Sequence, residues 1–596
     1  MPTSPTSGTP SRRLFPAFEV PQVLRALVRA RESALIALGA LIGIIAGLVV
    51  VSMSFAVGWF HAVLFDLERG SRLSAQTHID PWLALSVPTA GGMLFGFGLW
   101  LLLRRRPARE IDPIEANALH GGRMSLRGSL IVALQTVWSS GVGASVGLEA
   151  GYTQLASGIA SSIGRAFHLR RRDLRVLVGC GAAGAIAGAF GAPLAGAFYA
   201  FELVIASYSA ASLAPVGMAA LMGYLVTGLF EPPAFGIGTL YVSHIRGADL
   251  AVAAVVGIAA AGVGIALMRG VAMCEELLNR LRIRPVLRPT LGGLLVGAMA
   301  IVSPEILSSG HGALHSISTM LSNPLSSILL LFLLKSAASV ISLGTGFRGG
   351  LFFASLLIGA LGGQIFAGAA AFVFPASDLD PRVYSIIGLG AVSVSVIGGP
   401  LTMTFIALEI TGDFWLTAAV LVAIIVAAQV TREAFGYSFA TWRFHLRGES
   451  IRSAADIGWI RELTVRRMMR QDVRTVSAHT TVARFRLVFP PGSTGQVVAL
   501  DEKKNYAGMI SVAEAHAPEL DETRPVRDIV HLVDTVLLPT MTVKEAAALF
   551  DKAEAEALAV VEAPDNRQVI GLLTEAYTLR RYTGELEQRR QDLLGE

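Results

Sequence analysis

Two similar stretches of sequence decide the fold, GAPLAGAFYAFE at residues 191–202 and GGPLTMTFIALE at residues 398–409. Each contains a proline nine residues before the glutamate that ends it, Glu202 in the first stretch and Glu409 in the second. Tight packing of membrane helices explains small residues, but it does not explain a duplicated order. The pair therefore indicates an internal repeat. We interpret the two glutamates as structural residues that cap or pair near a helix end.

A second duplicated element lies upstream of each stretch. GLEAG begins at Gly147, 46 residues before Pro193, and GLFFA begins at Gly350, 50 residues before Pro400. Hydrophobic segments that are broken by Gly or Pro at corresponding positions of two halves are typical of transporters with inverted repeats. In such proteins the substrate site lies between the repeats, near the middle of the membrane. The sequence thus predicts an all-α polytopic membrane protein of broken and tilted helices.

The composition agrees with a membrane protein. Of 596 residues, 53% are hydrophobic and only 16% are charged, whereas soluble domains carry roughly 25% charged residues. This excludes a disordered chain, a fibrous protein and a simple soluble enzyme. The formal net charge of +5 is expected from arginines on cytoplasmic loops, so we predict no binding of nucleic acid. The two cysteines, Cys180 and Cys274, cannot form a disulfide framework or a four-ligand zinc site, and we predict no metal.

The chain divides into three parts. Residues 1–30 form a cytoplasmic tail with an amphipathic helix, residues 31–445 a membrane domain, and residues 446–596 a soluble α/β region with a charged tail. The basic cluster 104–106 places the end of the second apolar segment, and therefore the N-terminus, in the cytoplasm. We expect a bacterial inner membrane. The apolar segments of the membrane domain are 34–65, 82–103, 129–146, 174–206, 212–230, 250–268, 290–302, 324–343, 350–374, 384–397, 400–411 and 415–430.

One ionisable residue stands out, Glu149 in the GLEAG element. Ionisable residues inside apolar segments are costly, and they line a pathway or pair with a partner. An anion inside a membrane is bound well by a helix N-terminus, where backbone N–H groups lack partners and the helix dipole is positive. We therefore expect GLEAG and GLFFA to aim broken helices at one anion. Glu149 is then a carboxylate that competes with the anion and leaves on protonation.

The membrane domain resembles the CLC family of chloride channels and chloride/proton exchangers over residues 30–445. The motifs that carry the resemblance are VGLEAGYTQ (146–154), GAAGAIAGAFGAPLAGAFYAFE (181–202), GFRGGLFFASLLIGALGG (346–363) and GGPLTMTFIALEITGDF (398–414). The resemblance implies a CLC-type inverted repeat, cytoplasmic termini and a homodimer with one anion pathway in each subunit. It implies chloride or a similar small anion as the substrate, with protons as a second substrate in the exchangers.

The resemblance also implies site residues. Glu149 corresponds to the gating glutamate, and Gly147 belongs to the same anion-binding element. Leu351 and Phe352 match the residues whose backbone N–H groups meet the central anion. Tyr437 falls on the tyrosine whose hydroxyl contacts that anion.

Several positions depart from the family pattern. Arg109 or Glu110, depending on the alignment gap, stands in place of the serine that contacts the anion from the inside. Arg348 replaces an uncharged residue, and both Arg109 and Arg348 are candidates for attracting the anion. A loop arginine without that role is the alternative for Arg348. The replaced serine alters the inner anion contact, so an anion other than chloride is an alternative substrate. Three motif residues also differ from the family pattern: Leu148 for Arg, Gly151 for Pro, and Ala354 for Pro.

The soluble region resembles a pair of CBS modules. In members of that family that bind adenine nucleotides, an aspartate three residues after a Ser or Thr holds the ribose hydroxyls. Ser511 and Thr574 occupy the Ser/Thr positions, but Glu514 and Tyr577 stand where the aspartates are expected. We therefore favour a structural, dimerising role over nucleotide binding, and we predict no other cofactor.

The sequence as a whole predicts an anion channel that conducts passively and is gated by Glu149. Many exchangers pass protons through a second glutamate directly after the position of Glu202, and this chain has Leu203 there. A proton-coupled antiporter, for chloride or another anion, is the alternative, since some exchangers lack that glutamate. Two other functions are alternatives, a cation or solute carrier with a similar repeat and a membrane sensor. Anion flux in liposomes distinguishes the anion channel and the antiporter from these two. The sequence carries no catalytic constellation or phosphate-binding loop motif, and we predict no enzyme activity.

Replacing Tyr437 by Ala should weaken anion binding, because a hydroxyl donor to a charged acceptor contributes about 1.5–3 kcal/mol. Calorimetric titration of the purified protein with chloride should then show at least about a tenfold loss of affinity. An unchanged affinity would mean that the alignment through Tyr437 has misplaced the site.

Overall fold

The computed structural model describes residues 32–68, 70–104, 110–230, 245, 247–316, 323–374, 379–436, 464–578 and 580. The chain divides into two compact units, Met1–Asp456 and Ile457–Glu596. The predicted amphipathic helix of the N-terminal tail and the predicted boundary at 445/446 lie outside the described residues.

The described part of the first unit is helical. Its helices are α1 (Glu32–Leu64), α2 (Pro81–Arg104), α3 (Pro113–Leu119), α4 (Leu126–Gly141), α5 (Glu149–Ala166), α6 (Arg171–Phe190), α7 (Pro193–Tyr199), α8 (Ala210–Phe230), α9 (Gly247–Arg280), α10 (Arg288–Ala300), α11 (His311–His315), α12 (Leu325–Gly344), α13 (Phe352–Val373), α14 (Pro381–Ile397), α15 (Pro400–Thr411) and α16 (Phe414–Ala434). Among the described residues, eight of these helices are long and apolar enough to cross a membrane: α1, α2, α6, α8, α9, α12, α13 and α16.

The predicted apolar segments correspond to these helices, and the expected interruption by Gly and Pro is seen within 174–206. That segment contains most of α6, all of α7 and a π-helical turn, Ala200–Ile205. The break follows from its sequence, since Gly191 adopts a left-handed conformation (φ 64°) that ends α6, and a proline begins α7. Gly398 (φ 86°) ends α14 in the same way, and a proline begins α15. Glycine after a helix and proline at the first position of the next are the residues preferred there.

The two halves of the repeat are joined by two glutamates, each of which caps a helix in the other half. Glu202 is the first of them. Its Oε1 accepts a hydrogen bond from the Leu401 N–H at 2.8 Å. Its Oε2 accepts from the N–H and the hydroxyl of Thr402, at 2.8 and 2.7 Å. Glu202, which belongs to the first half, therefore caps the N-terminus of α15 in the second half.

Glu409 provides the second carboxylate. Its two oxygens accept hydrogen bonds from the Leu194 and Ala195 N–H groups at 2.8 and 2.9 Å. These donors belong to the first turn of α7, so Glu409 of the second half caps a helix of the first. The interpretation of Glu202 and Glu409 as structural caps is confirmed, and the reciprocal contacts have the form of a two-fold arrangement.

The second unit is the α/β region that the sequence predicts. In one sheet, β1 (Thr475–Ser477) pairs parallel with β2 (Gln496–Leu500), which pairs antiparallel with β3 (Tyr506–Ser511). In the other, β4 (Ala557–Val561) pairs antiparallel with β5 (Val569–Thr574). Helices precede or follow these strands: α17 (Val465–Met468), α18 (Val482–Val488), α19 (Val512–Ala515) and α20 (Val543–Ala553).

Replacing Glu409 by Ala should destabilise the membrane unit, because it leaves two donors at the start of α7 without their acceptor. We expect a loss of about 1–3 kcal/mol in the free energy of unfolding, measured by thermal or denaturant unfolding in detergent. Glu409→Gln keeps one acceptor and should lose less. Glu433→Ala, which removes an exposed carboxylate, is the control, and a loss of the same size there would contradict a specific capping role.

Candidate functional site

The duplicated glycine elements meet in the folded chain. Gly147 and Gly350 form an antiparallel bridge, with N–H to O distances of 2.9 and 3.0 Å in the two directions. Leu148 precedes the first residue of α5, and Leu351 precedes the first residue of α13. Two broken helices therefore begin side by side at the point where the sequence analysis predicts an anion site.

The Glu149 side chain lies at this meeting point. The residue is buried, with 4% of its surface exposed, and its Oε1 accepts a hydrogen bond from the Phe353 N–H at 2.8 Å. Its other oxygen, Oε2, has no hydrogen-bond partner among the described residues. A Cβ atom on Gly350 would lie 2.7 Å from Oε2, and one on Gly147 would overlap the carboxylate. The glycine pair is thus required for the carboxylate to approach the start of α13.

The CLC resemblance assigns the backbone N–H groups of Leu351 and Phe352 to a central anion, and that assignment stays a prediction. Both residues are buried at the start of α13. The backbone donor to the Glu149 carboxylate is the next residue, Phe353, which the sequence analysis did not identify. The signal was present, because a helix that starts at Phe352 leaves several successive N–H groups without partners in its own helix. Tyr437 and Arg109 lie outside the described residues.

A cavity of about 960 Å³ leads to the site. It is lined by Leu148, Tyr152 and Phe353 next to Glu149, and farther out by side chains that include Arg72 and His311. The His311 ring stacks on the Phe353 ring, with centroids 4.5 Å apart. A small ion in this cavity would therefore reach residues that adjoin the carboxylate.

Arg348 pairs with an acidic residue. Its guanidinium donates a hydrogen bond to Glu110 Oε2 at 2.8 Å, and both side chains are partly buried, with 32% and 23% of their surfaces exposed. Glu110 lies two residues before Asp112, whose side chain caps α3. The pair joins the loop before α3 to the loop before α13. Because its charge is balanced by a carboxylate, Arg348 attracts an anion less than an unpaired arginine would.

Besides Glu149, the membrane unit contains another buried ionisable residue, Lys335, which the sequence analysis did not identify. Lys335 is a lone lysine in the apolar segment 324–343, and it is fully buried in α12. The criterion that singled out Glu149, an ionisable residue inside an apolar segment, applies equally to Lys335.

In the second unit, Ser511 and Thr574 lie at the ends of β3 and β5. The Ser511 hydroxyl accepts a hydrogen bond from the Glu514 N–H at 3.4 Å. Glu514 Oε2 lies 2.8 Å from His531 Nε2. The carboxylate at the position where the CBS resemblance implies a ribose-binding aspartate is therefore engaged within the protein.

Comparisons with known proteins agree with these observations. Residues 91–432 match the family model described as voltage gated chloride channel. The voltage-gated ClC-type chloride channel ClcB of Salmonella dublin is 28% identical over 397 residues, which cover 66% of this chain and 94% of the relative. A slow cyanobacterial Cl⁻/H⁺ antiporter has a similar structure, with a TM-score of 0.59, 20% identity, and coverage of 69% of this chain and 97% of the other. A eukaryotic CLC transporter covers 93% of this chain and 98% of its own, with a TM-score of 0.56 and 19% identity. At 20% and 19% sequence identity, these two structures show that the chain shares their fold.

The pair of Arg348 and Glu110 should show a measurable coupling. We expect Arg348→Met and Glu110→Gln each to lower the free energy of unfolding, because each leaves a partly buried charge without its partner. The double variant should lose about 0.5–3 kcal/mol less than the sum of the single losses. The exposed pair of Arg280 and Glu276 is the control, for which a coupling of about 0.3–0.5 kcal/mol is expected. Strictly additive losses at Arg348 and Glu110 would contradict the pairing.

Proposed function

We propose that this chain, which belongs to the CLC family of voltage-gated chloride channels, conducts chloride or a similar small anion passively and is gated by Glu149. The observation that supports the gate is the hydrogen bond between the Glu149 carboxylate and the Phe353 N–H at the start of α13. A helix N-terminus is a natural anion site. The carboxylate therefore occupies a place that a mobile anion would also fill.

The gate depends on the charge of this carboxylate. As an anion, Glu149 competes with chloride for the same backbone donors. Protonation removes its charge, weakens its hold on these donors and leaves them to the mobile anion. One hydrogen bond to an ionised group contributes about 1.5–3 kcal/mol, which an incoming anion is able to offset. The caps formed by Glu202 and Glu409 involve three and two hydrogen bonds and are correspondingly harder to displace.

Passive conduction is supported by the surroundings of Leu203. This residue is buried in an apolar cluster with Ile114, Val178 and Ala182, and leucine has no proton to transfer. The neighbouring Glu202 is held by three hydrogen bonds at the start of α15, so it is not available as a substitute. Without an ionisable group at position 203, protonation of Glu149 need not be linked to each anion that passes.

One observation favours the antiporter as a second candidate. Glu115 on α3 is almost fully buried, and its Oε1 lies 3.8 Å from Nε2 of the partly exposed His120. The adjacent Ile114 and Ala116 share an apolar cluster with Leu203. Glu115 would therefore offer protons another entry on the side of Leu203.

The proposal is tested by reconstitution into liposomes with an imposed chloride gradient. Wild-type chloride flux should rise as the pH falls, because protonation neutralises Glu149. Glu149→Gln should conduct at every pH without this dependence, and neither protein should move protons uphill. Glu276→Gln, which alters an exposed carboxylate, is the control and should behave as wild type.

Three results would contradict parts of the proposal. Wild-type pH dependence in Glu149→Gln would exclude Glu149 as the gate. Uphill proton movement that disappears in Glu149→Gln would make the protein an antiporter, and loss of that movement in Glu115→Gln would identify the proton entry. Chloride flux equal to that of empty liposomes would exclude an anion channel altogether.

A further inference from the structure

A lysine is buried inside the membrane unit close to the gate. Lys335 has no exposed surface, and its ammonium donates three hydrogen bonds of 2.9 Å each. The acceptors are the Ser145 hydroxyl and the backbone carbonyls of Ile306 and Ser308. An ammonium has three donors, so all of them are used. Among the residues that the structure describes, no carboxylate lies within ion-pair distance of Lys335, and all three acceptors are uncharged.

The site around Lys335 is built by one face of α12. Ser339 and Ser342, one and two turns after Lys335, also contact Ser145. The Ser339 hydroxyl lies 3.1 Å from the Ser145 hydroxyl, and the Ser342 hydroxyl accepts from the Ser145 N–H at 2.9 Å. Ser145 lies two residues before Gly147 of the glycine bridge. Lys335 thus holds the segment that leads directly to Glu149.

The same ammonium also borders the cavity wall. Its acceptor Ser308 lines the cavity that leads to Glu149. A Cβ atom on Gly310, just before α11, would lie 3.3 Å from the Lys335 Nζ. The charge therefore lies between the cavity wall and the loop that leads into α5, and it is close enough to the Glu149 carboxylate for an electrostatic attraction.

A charge in this place is costly unless it has a function. Burying an ammonium without an ionised partner loses hydration energy that neutral acceptors recover only in part. Intramembrane charges mark ion pathways for this reason. The position before Glu149 carries an uncharged Leu148, and Arg348 is balanced by Glu110. Lys335 is thus a buried positive charge near the gate that no described carboxylate balances.

We propose that Lys335 supplies the fixed positive charge of the anion pathway, stabilising the mobile anion in the place that the Glu149 carboxylate vacates. This inference rests on the proposed anion conduction. While Glu149 is ionised, the charges of Lys335 and the carboxylate attract each other and keep the gate closed. When Glu149 is protonated, the same positive charge favours the incoming anion. Lys335 acts on the anion through its charge and holds the Ser145 segment in place, and it does not contact the anion.

Other titratable or charged groups also surround the gate. Tyr199 interacts with Glu149 and with Asp112, His311 stacks on Phe353, and Arg348 pairs with Glu110. The test must therefore change the charge at Lys335 and leave these groups in place.

The test compares Lys335→Gln, which keeps hydrogen-bond donors but loses the charge, with Lys335→Arg, which keeps the charge. Chloride flux in liposomes is measured against chloride concentration in the Glu149→Gln background, and against pH in the wild-type background. Lys335→Gln should raise the half-saturating chloride concentration about tenfold and move the pH midpoint of flux up by about one unit. The direction follows because loss of a nearby positive charge makes Glu149 easier to protonate. Lys335→Arg should leave the half-saturating chloride concentration within about threefold of the parent and the pH midpoint within about half a unit.

A second pair of variants neutralises the charge without removing the lysine. Ser339→Asp places a carboxylate beside the Lys335 cage, whereas Ser339→Asn places a neutral group of the same size there. Ser339→Asp should reproduce the effects of Lys335→Gln, and Ser339→Asn should not. This pair decides the question if Lys335→Gln does not fold.

The outcomes separate the two proposals. If wild-type protein conducts no anion, the proposed function is wrong. If wild type conducts, and Lys335→Gln or Ser339→Asp folds but leaves chloride dependence and pH midpoint unchanged, Lys335 is a structural link only. If Ser339→Asn has the same effect as Ser339→Asp, the effect comes from packing and not from charge, and the inference is overturned.

Discussion

The structure depends on how backbone N–H groups are satisfied where helices begin inside the membrane. A helix leaves its first N–H groups without partners in its own backbone, and a membrane interior offers no water to replace them. Among the described residues, three glutamates provide acceptors at such helix ends. Glu202 caps α15, Glu409 caps α7, and Glu149 accepts from the start of α13. Broken helices are therefore tolerated here because carboxylates from distant parts of the chain complete them.

The same chemistry produces two different results. Glu202 and Glu409 each accept hydrogen bonds through both carboxylate oxygens, and each caps a helix in the other half of the repeat. They therefore join the two halves and leave no backbone donor at those helix ends for a mobile ion. Glu149 uses one oxygen and makes one hydrogen bond to a backbone donor, next to a cavity. Under the proposed function, the number of hydrogen bonds distinguishes a permanent joint from a group that an anion would replace. The glycine pair allows this approach, since a side chain at either glycine would collide with the carboxylate.

The charges near Glu149 differ from the pattern of the CLC family. Leu148 stands where that pattern has an arginine, and Arg348 is balanced by Glu110. Lys335 remains, buried behind the glycine bridge and bound to neutral acceptors. In the proposed mechanism, this fixed charge would attract the anion without direct contact. Such an arrangement suits conduction, because an ion that is held too strongly does not leave.

The sequence by itself determined where the membrane helices lie and where they break, because these depend on local composition and on Gly and Pro at particular positions. It also singled out Glu149, since a carboxylate in an apolar segment is conspicuous, and the duplicated Pro…Glu order revealed the repeat. Only the tertiary structure decided the partners. Glu202 accepts hydrogen bonds from residues about 200 positions away, Phe353 donates to the Glu149 carboxylate, and the Lys335 ammonium donates to Ser145. Such pairings depend on which helix ends come together in space, and local sequence patterns carry no information about contacts between distant segments.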